Sequence, residues 1–511
     1  MENSNENSTF KKKRSLIFHP FLFPCFPVLF LLSINSGELT VQDAFIPILI
    51  SASIGFVFWI VLRYFLDGKK AGLITSLFIL LFVIYGNVHN ILQSDSSDVS
   101  QFLGSNLVLG PIFLIIGIFG TIFFKKTRAS IELNSIFNII AISMIAVLIV
   151  TLMFSYTTNW AEIDDKLSDL IQEPILITNV EKKPDVFVII LDEFAGDIQL
   201  KMDFNYDLTP FNNDLKNRGF LMPDVSLANY PHSFLSFAST LNMGYLDNLV
   251  EDVDPDSKDF QLFIRYIDQN QVFRTFDSYG YKISVVGTSI GYGGTTDEHL
   301  CTFNERLLEL RKNLVLTYLP ITLFNEQLLS QFNRDKLECS FEYIENYESN
   351  GNQPHFVHTR LLLPHGPYIY DSEGNDVQRA PNVIPDKDGY FDQLKFAETK
   401  SLELIDSIQK RSPESVIIMY SDHGYREEID QANLTDKDMI RAFNVISAVY
   451  FPDKDVDLPE KLSLVNLYRI FFNTYFDTDY EILEDKQIWY NNKIPKPYVH
   501  TDVTEKLNSL I

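Results

Sequence analysis

The first 155 residues constrain this chain more than any other part of it. Apolar stretches run at about residues 15–35, 44–65, 72–92, 106–124 and 134–155, each close to the roughly 20 residues that a helix needs to cross a bilayer. Five membrane-spanning helices are expected. Pro20, Pro24, Pro27 and His19 interrupt the first stretch, and Lys11 to Arg14 ahead of it resemble the basic start of a signal peptide. No small-residue cleavage site follows that run and further spans come after it, so it is read as a retained span.

Basic residues set the orientation. Lys11 to Arg14, then Arg63, Lys69 and Lys70, then Lys125, Lys126 and Arg128 occupy alternate loops, whereas residues 36–42 and 93–105 contain no Lys or Arg. By the positive-inside rule the amino terminus is cytoplasmic and everything after about Tyr156 lies outside. The net charge of −25 belongs to that outer part, because residues 1–155 hold ten basic and eight acidic residues and the remainder holds 32 and 59. So acidic a domain disfavours nucleic acid as a partner, since backbone phosphates require a basic face. An anionic substrate would need a bound cation to supply a local positive field.

Three cysteines are too few for a disulfide scaffold. Cys25 lies in the first span, while Cys301 and Cys339 share an oxidising compartment and are free to form one bridge. Residues 156–183 read as a juxtamembrane helix and linker. From 184 to 511 the chain is long enough for one α/β domain with a single core. Strand-like runs recur at Val186–Leu191, Lys282–Gly287, Phe356–Leu363, Val416–Tyr420 and Val445–Tyr450, with helical patterns such as Asp392–Arg411 between them. That alternation predicts a mostly parallel sheet flanked by helices.

Two of these runs end in potential metal ligands. Val186–Leu191 leads into Asp192 and Glu193, and Val416–Tyr420 leads into Ser421-Asp422-His423-Gly424. Ligands in open α/β sheets gather at the carboxyl ends of strands. An Asp and a His with an upstream acid suit zinc or manganese, with calcium or magnesium as alternatives. Taken alone, an Asp-His-Gly after a strand is more often a turn with a helix cap. Between the two acidic ends, however, lies Asn229-Tyr230-Pro231-His232-Ser233-Phe234-Leu235, in which Ser233 follows a loop and opens a helix. Such a serine is commonly a helix cap. A hydroxyl at a helix N-terminus beside a cation is also a nucleophile whose alkoxide and bound anion are stabilised.

Together, a strand ending in acid, a hydroxyl opening the next helix, the loop Leu363-Pro364-His365-Gly366-Pro367-Tyr368 and the Asp-His-Gly turn resemble the alkaline phosphatase and sulfatase superfamily. With five spans ahead of them, they look most like lipoteichoic acid synthases and lipid A phosphoethanolamine transferases. The resemblance covers about residues 183–475. It implies an alkaline-phosphatase-like fold, Asp192, Asp422 and His423 as ligands of one divalent metal ion with the Ser233 oxygen beside them, and Glu193 as an additional candidate ligand. It also implies Ser233 as nucleophile and His365 as a catalytic and substrate-contacting residue.

The chain departs from the family in two ways. Ser233 is not followed by the x-Pro-x-Arg of formylglycine sulfatases, which argues against sulfate-ester hydrolysis by that route. Where the transferases generally carry Thr, this chain has Ser, and the hydroxyl is kept. No Asp-x-x-x-His precedes Asp422, and His500 is the only later histidine after His423, so a single metal site is expected.

His232 and His358 are secondary candidates for substrate binding. His299 and His355 carry less weight, since a lone His is usually a surface or hydrogen-bonded residue. Asn229, Arg360 and Gln393 are polar groups near the motifs without an assigned role. The expected activity is transfer of a phospho-alcohol headgroup from a membrane lipid donor, through a covalent Ser intermediate, to an envelope glycan or lipid, in a multi-pass protein whose catalytic domain is extracytoplasmic. A phosphodiester or sulfuric ester hydrolase is the alternative, and a non-enzymatic envelope scaffold the third reading.

Overall fold

The structure, a computed structural model, describes residues 16–34, 41–94, 97–171, 173–177, 182–251, 253–255, 260–287, 294–301, 322–349, 351, 353–377, 386–429, 435–490 and 497–511. Its main division into compact units falls between Trp160 and Ala161.

Among the described residues of the first unit, four helices are long and apolar enough to cross a membrane: Ala44–Phe65, Gly68–His89, Asn106–Lys126 and Ser130–Phe154. Large apolar side chains such as Leu107, Phe119 and Val150 stay exposed on them, the arrangement expected of helices solvated by hydrocarbon. The first apolar stretch differs from the single span that its length suggests. It forms two shorter helices, His19–Leu22 and Cys25–Ile34. Pro24 stands at the break, where a residue without an N–H cannot continue the ladder of helical hydrogen bonds. Polar groups hold the first piece: His19 Nδ1 lies 2.6 Å from Ser76 Oγ and Nε2 lies 3.1 Å from Asn134 Oδ1. Asn138 Oδ1 accepts from the backbone N–H groups of Phe18 and His19, two donors that the start of a helix leaves unpaired.

The second unit is built on a six-stranded sheet of β1 (Val186–Leu191), β2 (Lys282–Gly287), β3 (Glu298–Leu300), β4 (His355–Leu361), β5 (Val416–Tyr420) and β6 (Ser447–Tyr450), in the order β3-β2-β4-β1-β5-β6. Every neighbouring pair is parallel except β5 with β6. Strands buried on both faces read as continuous apolar runs, and β1 and β5 are buried along their whole length. Alternate side chains feed two separate cores: Val186, Val188 and Ile190 join one, Phe187, Ile189 and Leu191 the other. The α/β class expected from the sequence, a multi-span helical part followed by a mostly parallel sheet with flanking helices, is therefore what the chain adopts.

A small sheet of Asn444–Val445, Val225–Leu227 and Lys461–Ser463 anchors the chain just ahead of the Asn229–Ser233 loop. Cys301 and Cys339 are joined in a disulfide with Cα atoms 5.5 Å apart.

Candidate active site

Register places the site. Ile190 pairs with Tyr420 between β1 and β5, so two residues farther on Asp192 and Asp422 emerge side by side at the carboxyl end of the sheet. His423 follows, and oxygen or nitrogen atoms of Asp192, Asp422 and His423 lie within 4.8 Å of one another. All three side chains have no solvent exposure. The Ser421 hydroxyl ties the two strand ends together, donating to His423 O at 2.8 Å and accepting from Phe194 N at 2.8 Å.

Gly424 closes this turn because no side chain fits there. A Cβ at position 424 would collide with the carbonyl oxygens of Arg441 and Asn444 and with Gln199 Oε1.

Ser233 is the first residue of the helix Ser233–Asn242, after His232 in extended conformation. Its Oγ stands 3.2 Å from His423 Nε2 and 3.3 Å from Arg360 Nη2. His423 Nδ1 donates to Gly424 O at 3.0 Å, which leaves the Nε2 lone pair directed at the hydroxyl and the two carboxylates. Farther along the helix the serine hydroxyls are committed elsewhere, Ser236 to Asp422 O and Ser239 to Gly244 O.

Arg360 had no assigned role, and it proves to be central. Its β4 register with Ile190 turns it toward the Ser233 helix, where Nη2 donates to Asp192 Oδ2 at 2.6 Å and lies 3.7 Å from Asp422 Oδ2. The sequence signal was available: an arginine in an otherwise buried strand must meet an acid. Gln393 and Asn229 are struts. Gln393 donates to Pro364 O and His365 O while accepting from Ile369 N and Tyr370 N, holding the Pro-His loop. Asn229 bridges Lys486 O and Val465 N.

Glu193 turns away from the Asp192, Asp422 and His423 group. Its φ of +65° sends Oε1 to Arg426 N at 3.1 Å and Oε2 to within 3.9 Å of His365 Nε2. His365 also has its backbone N–H on Asp192 O and donates from Nδ1 to Gly366 O. His232 stacks on Phe234 and Phe260 and meets Tyr490 edge-on. His358 packs among Phe273 and Phe356 with its Nε2 buried and unpartnered. His355 bonds Ser284 and Tyr347 at the opposite end of the sheet, and His299 lies on the outermost strand, β3.

Electrostatics separate the two aspartates. Burial raises the Asp192 carboxyl, against the opposing pull of Arg360. Burial would raise Asp422 as well, but His423 and Arg360 outweigh it and hold this carboxyl below its ordinary value. Burial lowers His423 to about 3, so the ring is neutral and able to act as a ligand. Burial lifts Glu193 to about 7. Desolvation opposes charge on His365, yet Asp192 and Glu193 prevail and raise its pKa.

A divalent cation fits these residues. Asp192 Oδ1 and Asp422 Oδ2 are fully buried without a hydrogen-bond partner, and such orphaned carboxylate oxygens are costly unless a cation faces them. The Arg360 guanidinium is shared between the two aspartates. The remaining donors are a neutral imidazole nitrogen and a hydroxyl, a mixed oxygen and nitrogen set suited to zinc or manganese.

No family model matches this chain, and neither does any curated protein. Among solved structures it is similar to the C-terminal periplasmic domain of EcEptC from Escherichia coli in complex with Zn, at 13% identity and TM-score 0.43, covering 65% of this chain and 97% of that one. It is similar to the lipoteichoic acid synthase LtaP from Listeria monocytogenes, at 12% identity and TM-score 0.36, over 61% of this chain and 77% of that one. It is also similar to the integral membrane lipooligosaccharide phosphoethanolamine transferase A (EptA) from Neisseria meningitidis, at 12% identity and TM-score 0.36, over 85% of this chain and 88% of that one.

Proposed function

We propose that this protein is a membrane-anchored, metal-dependent phosphotransferase that moves a phospho-alcohol headgroup from a lipid donor to an envelope glycan or lipid through a covalent Ser233 intermediate. One observation carries the reading: a buried helix-opening hydroxyl lies within hydrogen-bonding distance of a neutral imidazole, beside two fully buried carboxylate oxygens that have no hydrogen-bond partner. In this reading residues 1–155 form the membrane domain, 156–183 the linker and 184–511 an extracytoplasmic catalytic domain of the alkaline phosphatase type.

Asp192, Asp422, His423 and the Ser233 oxygen would hold the ion. When bound, it lowers the pKa of the hydroxyl and polarises a phosphoryl oxygen. Ser233 attacks phosphorus in line: the Oγ–P bond forms and the bond from phosphorus to the leaving alcohol breaks. His365 delivers a proton to the departing oxygen while the Ser233 proton is lost to water, so the net change moves one proton from serine to the alcohol. The acceptor hydroxyl then attacks the same phosphorus: its O–P bond forms, the Oγ–P bond breaks, and the acceptor's proton is lost to water as Ser233 Oγ regains one. Tethering to the bilayer confines enzyme and lipid donor to one surface and raises their effective concentration.

The test is metal content of the purified full chain in detergent. One divalent ion per chain is expected, and Asp192→Asn, Asp422→Asn and His423→Ala should each weaken its binding by at least about tenfold, with circular dichroism unchanged. Stoichiometric metal retained in all three variants would reject the ligand assignment.

A further inference from the structure

The helix Ser233–Asn242 opens in the active site and, over its 10 residues at about 1.5 Å each, closes roughly 15 Å away at Asn242. Met243 follows in the left-handed region with φ +52°, and Arg469 holds its carbonyl oxygen through Nε at 2.7 Å and through Nη2. Against this turn lies a cavity of about 260 Å³, lined by none of the active-site residues. It is smaller than the roughly 300–1,000 Å³ of sites for drug-sized ligands.

The cavity gathers polar groups that the protein itself leaves unpaired. Gln271 lines it and is 7% exposed. Its backbone N–H and carbonyl are engaged by Asn242 and Thr275, yet its side-chain amide makes no hydrogen bond among the described residues. The Tyr480 hydroxyl is buried without a partner, and the Tyr266 hydroxyl makes no hydrogen bond among the described residues either. Asp247 and Asn248 stand exposed at the rim. A buried amide without a partner is costly, so a group that enters the cavity and bonds Gln271 recovers that cost.

Charge restricts what enters. Arg469 and Asp247 are the charged residues of the lining, one of each sign. All three Arg469 nitrogens already donate to backbone carbonyls, Nε and Nη2 to Met243 O and Nη1 to Glu481 O, so an anion would meet Asp247 with the guanidinium engaged elsewhere. A neutral ligand rich in hydroxyls fits better. An amide and phenols both donate and accept, as the adjacent hydroxyls of a sugar do, while tyrosine rings offer apolar faces to its C–H groups. We infer that this cavity binds one neutral pyranose unit of a glycan or glycolipid, at a site separate from the catalytic centre. The inference goes beyond the phosphotransferase reading and does not depend on it.

The full chain in a non-glycosidic detergent, lauryldimethylamine oxide, is titrated by calorimetry with the methyl glycosides of glucose, galactose and N-acetylglucosamine, with inorganic phosphate and with glycine. Expected is saturable one-to-one binding of at least one glycoside, weakened at least about fivefold in Gln271→Leu and in Tyr266→Phe. Ser233→Ala, at the far end of the helix, should bind it within about twofold of wild type. Without sugar, Gln271→Leu should melt no lower than wild type, because the amide it removes has no protein partner. The same sugar carried on diacylglycerol in mixed micelles separates the two sources: at least about tenfold tighter binding of the lipid form assigns a glycolipid, and equal affinity a glycan.

No saturable glycoside binding by the folded wild type would overturn the inference, as would affinity unchanged in both Gln271→Leu and Tyr266→Phe. Loss of sugar binding in Ser233→Ala would move the sugar to the active site, and displacement of the glycoside by tighter-binding phosphate or glycine would replace a neutral ligand with a charged one. Either result would overturn it too. A wild-type chain that binds the sugar but holds no metal would reject the proposed function alone.

Discussion

At the scale of single residues, burial decides chemistry by deciding which groups keep their charge. Glu398 illustrates this away from the active site. Its Oε2 accepts from the Tyr206 hydroxyl at 2.9 Å, Oε1 is buried without a partner, and desolvation raises the carboxyl from its ordinary 4.5 to about 7. The folded chain therefore keeps a proton that the unfolded chain releases, so stability falls as pH rises from about 4.5 to 7 and stays low above that window. Glu398→Gln keeps an acceptor for Tyr206 and removes the charge. The variant should be more stable than wild type by roughly 1–2 kcal/mol at pH 8 and show no gain at pH 4.5, in thermal melts of the full chain. An equal gain at both values would refute the assignment. Asp192, Ser233, Asp422 and His423 were legible in sequence because each follows a strand or opens a helix. Arg360 and Gln393 were not given roles, since what they do depends on partners 168 residues away in one case and on loop carbonyls in the other.

At the scale of elements, sequence pattern located the interior of each element better than its ends. β1, β2 and β5 begin and end where the apolar runs do. The third run was read as Phe356–Leu363, whereas the strand is His355–Leu361, because Leu363 and Pro364 belong to the loop that Gln393 holds. The helix read as Asp392–Arg411 begins at Lys387, where the Asp386 side chain caps Gly389 N. A side chain that caps replaces a missing helical bond, and this one extends the helix through residues without an apolar rhythm. Val445–Tyr450 was read as one strand but divides into Asn444–Val445 and Ser447–Tyr450 in two different sheets. Periodicity reports that a segment is extended and says nothing of which neighbour it pairs with. The first apolar stretch shows the same limit, for Pro24 and His19 are visible in sequence, but the Ser76, Asn134 and Asn138 side chains that receive the short helix lie far along the chain.

At the scale of the whole molecule, an apolar first part is followed by an acidic second part that contains the Asp192, Asp422 and His423 group. The alternation of basic loops predicts the outcome of reporter fusions: one placed after Tyr156 should be active only outside the cytoplasm, and one at Lys69 only inside. The reverse pattern would put the site in the wrong compartment. The central claim is that Ser233 takes up the transferred group, and it is tested most directly by mass spectrometry of the metal-loaded full chain after incubation with candidate phospholipids. Expected is a phospho-alcohol adduct on the peptide containing Ser233, absent in Ser233→Ala and present in Ser233→Thr, where the hydroxyl persists. An adduct mapped to Ser236, or full turnover by Ser233→Ala, would contradict it.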